Sequence, residues 1–153
     1  MSDPITFEST TPRFALPLLY AGQAQKEVFV NESLSITDAL LHCAVESETP
    51  TPPATPADGM AWLVATGATG IWAGKAGMLA CRQGGQWIYV SPRDGMRLLN
   101  KSSEQDMRRI AGVWRAPNMP SAPAGGGTID AEARSAIIVL IQKLRDAGIF
   151  ALA

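Results

Sequence analysis

Two proline-bearing stretches decide what this chain can fold into. They are "ETPTPPATPADG", with Pro50, Pro52, Pro53 and Pro56, and "APNMPSAPAGGG", residues 116–127. Proline fixes φ, removes a backbone donor and pushes its predecessor to extended geometry, so neither a helix nor a central strand runs through such a segment. The first is a stiff connector; the second is stiff at its start and loose at its glycines. The chain is therefore cut into three parts. The expected class is α+β: an extended arm over residues 1–20, a domain over 21–115 holding a helix and then a small antiparallel sheet or barrel, the linker 116–127, and a C-terminal helix within 128–153.

The hydrophobic share, 46%, supports a core, and with 18% charged residues it excludes wholesale disorder. A formal net charge of −1 argues against a broad nucleic-acid footprint, because neutralising phosphates needs clustered Lys and Arg. No run approaches the ~18 apolar residues of a membrane span, and "MSDPITFESTTPRF" lacks the basic and apolar regions of a secretion signal. Synthesis in the cytoplasm is expected. Cys43 and Cys81 have no C-x-x-C spacing. One disulfide is formally open to them, and two buried thiols are the expected state.

In the first part, Val30, Leu34, Thr37 and Leu41 recur at helical spacing, with Ile36, Leu40 and Cys43 as an adjoining stripe. Asn31 stands where an N-cap would, with Glu32 in the first turn. An earlier start near Gly22, with one helix running through Asn31, is the alternative. No Ser–His or Cys–His partnership is visible, so no nucleophile has a base. His42, the single histidine, has no further ligands at metal-site spacing. No cofactor and no metal are expected.

The middle part reads as short strands with glycine turns. "GMAWLVA" and "GIWAG" come first. "GMLACRQGGQWIYV" is a hairpin whose Gly84-Gly85 supplies the positive φ of a tight turn. "DGMRLLN" and "IAGVWRA" close the region. Asp58-Gly59-Met60 recurs as Asp94-Gly95-Met96, and Gly85-Gln86-Trp87 as Gly112-Val113-Trp114. That echo is too short to set a repeat architecture. Trp62, Trp72, Trp87 and Trp114 have two uses: one indole per strand fills a small core, or the rings form a platform on which sugars stack. Asp58, Asp94, Glu104 and Asp106 are carboxylates with no spacing that makes them a catalytic pair, and the first and second each precede a turn glycine.

The last part is the clearest helix. Thr128 or Asp130 can cap it, Ala133, Ile137, Leu140, Ile141 and Leu144 form a stripe, and Gly148 then Ile149 fit a Schellman stop. Ile138 and Val139 extend the apolar surface beyond one stripe, which calls for cover on most sides, by a second copy or a partner, the alternative being a helix that covers one open face of its own sheet. The arm, with Phe7, Phe14 and Leu16 set between prolines, suits docking along another surface, the alternative being an arm folded back on its own sheet. Together these give the interface candidates Phe7, Phe14, Leu16, Ile137, Ile138, Leu140, Ile141 and Leu144.

The stretch "TPRFALPLLYAGQAQKEVFVNESLSITDALL", with its core Ala21, Gly22, Gln23, Gln25, Lys26, Glu27, Asn31 and Glu32, resembles the N-terminal signature of the DUF2793 family. The glycine-and-tryptophan β region and the terminal helix are also similar to parts of such proteins. Members of the family sit among virion structural genes of phages and of gene transfer agents, phage-like particles that carry host DNA. The resemblance implies an oligomeric head-spike component without catalytic residues, attached to a capsid protein and supporting a receptor-binding fibre protein. The alternative is a carbohydrate-binding module that touches cell-surface polysaccharide. No nucleic acid and no membrane are expected as partners.

Overall fold

A computed structural model describes residues 9–127 and 129–151. These residues form two compact units, one within Met1–Pro92 and one within Arg93–Ala153, and the β region expected as one block is divided between them. Phe7 and Thr128 lie outside the described residues.

The first unit opens with an arm and a helix, α1, over Lys26–Leu40. The run between Gly22 and Pro50 contains neither glycine nor proline, so nothing interrupts the helix once it starts. It begins after Gln25, which is left-handed at φ 65°, and no side chain caps it. Asn31 is thus inside the helix, as the earlier start requires. Its side chain binds the arm instead, accepting from the Leu19 amide at 2.8 Å and donating to the Leu19 carbonyl at 3.0 Å. The fully buried positions of α1 are Ser35, Asp38 and Ala39, not the stripe Val30, Leu34, Thr37 and Leu41. Periodicity pointed to the wrong face because a carboxylate, not an aliphatic row, organises the contact.

Five strands follow: β1 (Ala44–Val45), β2 (Glu48–Thr49), β3 (Ala61–Val64), β4 (Leu79–Gln83) and β5 (Gln86–Val90). The pairs β3–β4 and β4–β5 are antiparallel, while β2 runs parallel to β3 with Glu48 opposite Leu63. The sheet is therefore mixed rather than purely antiparallel. All four residues of β3 are buried, as expected of a strand covered on both faces. "GIWAG" is not a strand. Gly70–Trp72 is a 3-10 turn, with Gly70 and Gly74 at positive φ on either side.

In the second unit β6 (Arg97–Asn100), β7 (Gln105–Ile110) and β8 (Val113–Arg115) form an antiparallel meander. Leu98, Asn100, Gln105 and Met107 are buried. The strand β7 has no apolar run to betray it; its alternation of Gln105 and Met107 inward with Asp106 and Arg108 outward is legible only once its neighbours are known. Helix α2 covers Ala131–Asp146. The Asp130 carboxylate accepts from the Ala133 amide at 2.8 Å. At the other end Gly148 has φ 70°, its amide reaches the Arg145 carbonyl, and the Ile149 amide reaches the Leu144 carbonyl at 2.9 Å. That is the expected Schellman stop.

The two meanders are copies of one device. In the first, the Asp58 carboxylate accepts from the Gly85 amide in the β4–β5 turn. The Gly59 amide reaches the Arg82 carbonyl, and the Arg82 amide the Met60 carbonyl. Arg82 lies over Trp87, 5.4 Å from its ring centre. In the second, Asp94 accepts from Gly112 in the β7–β8 turn, Gly95 and Met96 make the same two backbone bonds with Arg109, and Arg109 lies over Trp114 at 5.8 Å. The echo of Asp-Gly-Met and Gly-x-Trp is a structural repeat.

Candidate functional site

Trp62, Trp72 and Trp87 meet at ring-centre distances of 5.2 to 6.4 Å, two of the three contacts edge-on. Trp62 and Trp72 are buried among Val64 and Ala80. The Trp72 indole N–H is enclosed and has no hydrogen-bond partner among the described residues. A ring held that way fills space. Of the two uses open to the four tryptophans, Trp62 and Trp72 therefore take the core one, since neither ring has an open face. Trp87 is half-buried against them and carries Arg82, and Trp114 carries Arg109.

The arm folds back on its own helix. Its residues 9–18 make a small loop closed by Thr11 to Leu16 and Leu18 to Ser9 backbone bonds, each 3.0 Å. Asp38, wholly buried, gathers three donors from this loop. They are the Thr11 hydroxyl at 2.7 Å, the Phe14 amide at 2.8 Å and the Arg13 amide at 3.1 Å. The Arg13 guanidinium then donates to the carbonyls of Asp38, Ala39 and His42. It thereby satisfies the free acceptors at the α1 C-terminus, where a cation is favoured. Phe14 stays exposed and Leu16 half-buried. Beyond the clasp, Tyr20, Val28 and Phe29 are also exposed.

Helix α2 is the largest uncovered apolar element. Not one of its residues is buried. Ile137, Ile138, Val139 and Leu140 keep 43 to 58% of their surface open, while Ile141 and Leu144 are half-buried. Five consecutive aliphatics span more than a full turn, so no single neighbour can cover them. The linker takes one side: Met119, Pro120 and Ala122 share a small cavity with Ile138, Ile141 and Gln142. The tail behind the helix is fixed to β7. The Asp106 amide donates to the Gly148 carbonyl at 2.8 Å, and the Gln105 side-chain amide bridges the Pro117 and Ile149 carbonyls at 2.6 and 2.8 Å.

Both cysteines are free and buried. Burial pushes the Cys81 thiol up to about 12, with Cys43 adding to the rise and Arg13 opposing it. Burial likewise raises the Cys43 thiol. Neither is a nucleophile at neutral pH. Asp58 and Asp94 are spent on the turn amides described above. No group of acidic, histidine or cysteine side chains among the described residues could hold a metal ion, and no described helix is long and apolar enough to cross a membrane. Sequence reasoning missed Asp38 and Arg13. The available signal was a carboxylate set among the apolar positions of a helix, with an arginine in the arm that precedes it.

No curated protein matches the chain. Residues 30–115 match a family model whose description is a protein of unknown function, DUF2793. The match takes in most of α1 and both meanders and stops at the last residue of β8. The Ala21–Glu27 part of the N-terminal motif and the whole of α2 lie outside it. Since the matched segment is more than half of the chain, this protein belongs to the DUF2793 family.

Proposed function

We propose that the chain is an oligomeric, non-enzymatic structural protein of a phage-like particle. In this reading it is the base of a head spike in a gene transfer agent, made in the bacterial cytoplasm and seated on the capsid surface, where it supports a receptor-binding fibre. The observation that carries the oligomeric part is α2, whose aliphatic belt remains open after its own linker and tail have made their contacts. The particle setting rests on the resemblance of the Ala21–Leu41 region to family members encoded among virion genes. An exposed apolar surface of this kind marks an interaction site rather than a solvated helix. At about 25 cal/mol per Å² of apolar area removed from water, closing the belt between symmetric copies gives each copy a substantial share of the assembly energy.

The carbohydrate-binding alternative draws less support, because Trp62 and Trp72 offer no ring to stack on. The deciding experiment is the double substitution Ile138→Asp and Leu140→Asp, read by light scattering after gel filtration and by incorporation into particles. The variant is expected to keep the fluorescence of the buried tryptophans, lose its oligomeric mass and fail to enter particles. A monomeric unsubstituted protein, or a variant that keeps its mass and its place, would overturn the reading.

A further inference from the structure

The duplicated meander supplies an internal control. Superposing the shared Asp-Gly-Met and Gly-x-Trp positions aligns Ala61, Cys81 and Ile88 of the first copy with Arg97, Arg108 and Arg115 of the second. In each copy the three residues are direct cross-strand partners: Ala61 faces Cys81 and Cys81 faces Ile88, while Arg97 faces Arg108 and Arg108 faces Arg115. The same backbone therefore tolerates three apolar residues in this row. In the second unit it carries three guanidinium groups instead.

Such a row is unfavourable by itself. Neighbouring strands lie about 4.8 Å apart, and like charges directly opposite one another destabilise a sheet. Among the described residues none of the three guanidiniums takes part in a hydrogen bond, an ion pair or a ring contact. The arginines border a cavity of about 320 Å³, near the lower bound of small-molecule sites. Its remaining wall is apolar, from Ile110, Ala116, Pro117 and Ile149, with one carboxylate, Asp106. Three planar donor forks beside an apolar wall match the needs of an organic anion. An anion with two oxyanion groups can engage a row spanning three strands with both ends at once. Asp106 repels an anionic group at its own end and accepts from a hydroxyl there.

We propose that the face of β6, β7 and β8 bearing Arg97, Arg108 and Arg115 is a binding site for a small anion with at least two carboxylate or phosphate groups. It does not depend on the assembly of α2. Arginine Nε–H resonances of the full-length protein are the direct readout, titrated with tricarballylate and with pyrophosphate at constant ionic strength. Orthophosphate serves as the single-anion control. Saturable shifts are expected at Arg97, Arg108 and Arg115, at concentrations at least tenfold lower for the two probes than for orthophosphate. The probes differ in their body: tighter binding of tricarballylate assigns a role to the apolar wall, and tighter binding of pyrophosphate assigns the site to phosphates. Arg108→Gln should weaken binding at least tenfold, and Arg93→Gln, outside the cavity, should leave it unchanged. Without ligand, Arg108→Gln should melt at a higher temperature, since it relieves the charge row. Unsaturable shifts that sodium chloride reproduces, binding that survives Arg108→Gln, or a lower melting temperature of that variant would each overturn the proposal.

Discussion

At the scale of single residues, the two copies of the meander differ most tellingly in their turns. Gly84 and Gly85 have φ values of 54° and 73°; Ala111 and Gly112 have 50° and 75°. Both turns need a left-handed residue at both central positions, and only the second copy forces an alanine there. Ala111→Gly should therefore stabilise the protein by about 0.5–1 kcal/mol, and Gly84→Ala should cost about 1 kcal/mol. Denaturant midpoints of the two variants check both signs. Cys81 makes a separate statement about pH. Burial pushes its thiol from the ordinary 9.0 up to about 12, so the folded state holds its proton longer. The stability tied to it is complete below pH 9 and is lost as pH rises toward 12, at up to about 1.4 kcal/mol per unit. Urea unfolding at pH 8, 9 and 10 should show a steeper decline for the unsubstituted protein than for Cys81→Ala.

Among elements, the arm and α1 are held by one buried carboxylate. Asp38→Ala leaves the Thr11 hydroxyl and the amides of Arg13 and Phe14 without their acceptor, which should cost about 3 kcal/mol. Asp38→Asn should cost less, because one oxygen remains to serve Thr11 and Phe14. Hydrogen exchange at the Phe14 amide, fast in the alanine variant and intermediate in the asparagine one, checks the order. This contact also explains why α1 was only partly legible. Its existence followed from spacing, but the face it buries was decided by Asp38 and by an arginine 25 residues away in sequence, and no local period encodes such a pair. Helix α2 was legible to its last turn, because Asp130 and Gly148 each act within a few residues. The strand β7 was hidden, since Gln105 and Arg108 carry no apolar signal. The repeat was visible at five positions and still unreadable as one, because the connection after β3 spans residues 65–78 while the one after β6 spans only 101–104.

For the whole molecule, the two units have unequal cores. The first buries Trp62, Leu63, Val64, Trp72, Leu79 and Ala80 among others, whereas the second buries Leu98 and Met107 with the polar Asn100 and Gln105. Burial scales with stability, so the second unit should open first. Fluorescence of a Trp114→Phe variant follows the first unit alone; hydrogen exchange at β7 amides follows the second. The exchange-derived opening energy of β7 should be lower than the unfolding energy from fluorescence, and equal values would mean that the units melt together. The repeated meander also bears on how such a chain can change over time. A segment present once must satisfy folding and recognition with the same side chains. A segment present twice can divide the two tasks: one copy keeps Ala61 and Cys81 packed inside, while its twin sets Arg97 and Arg108 at the same places and leaves them open to solvent.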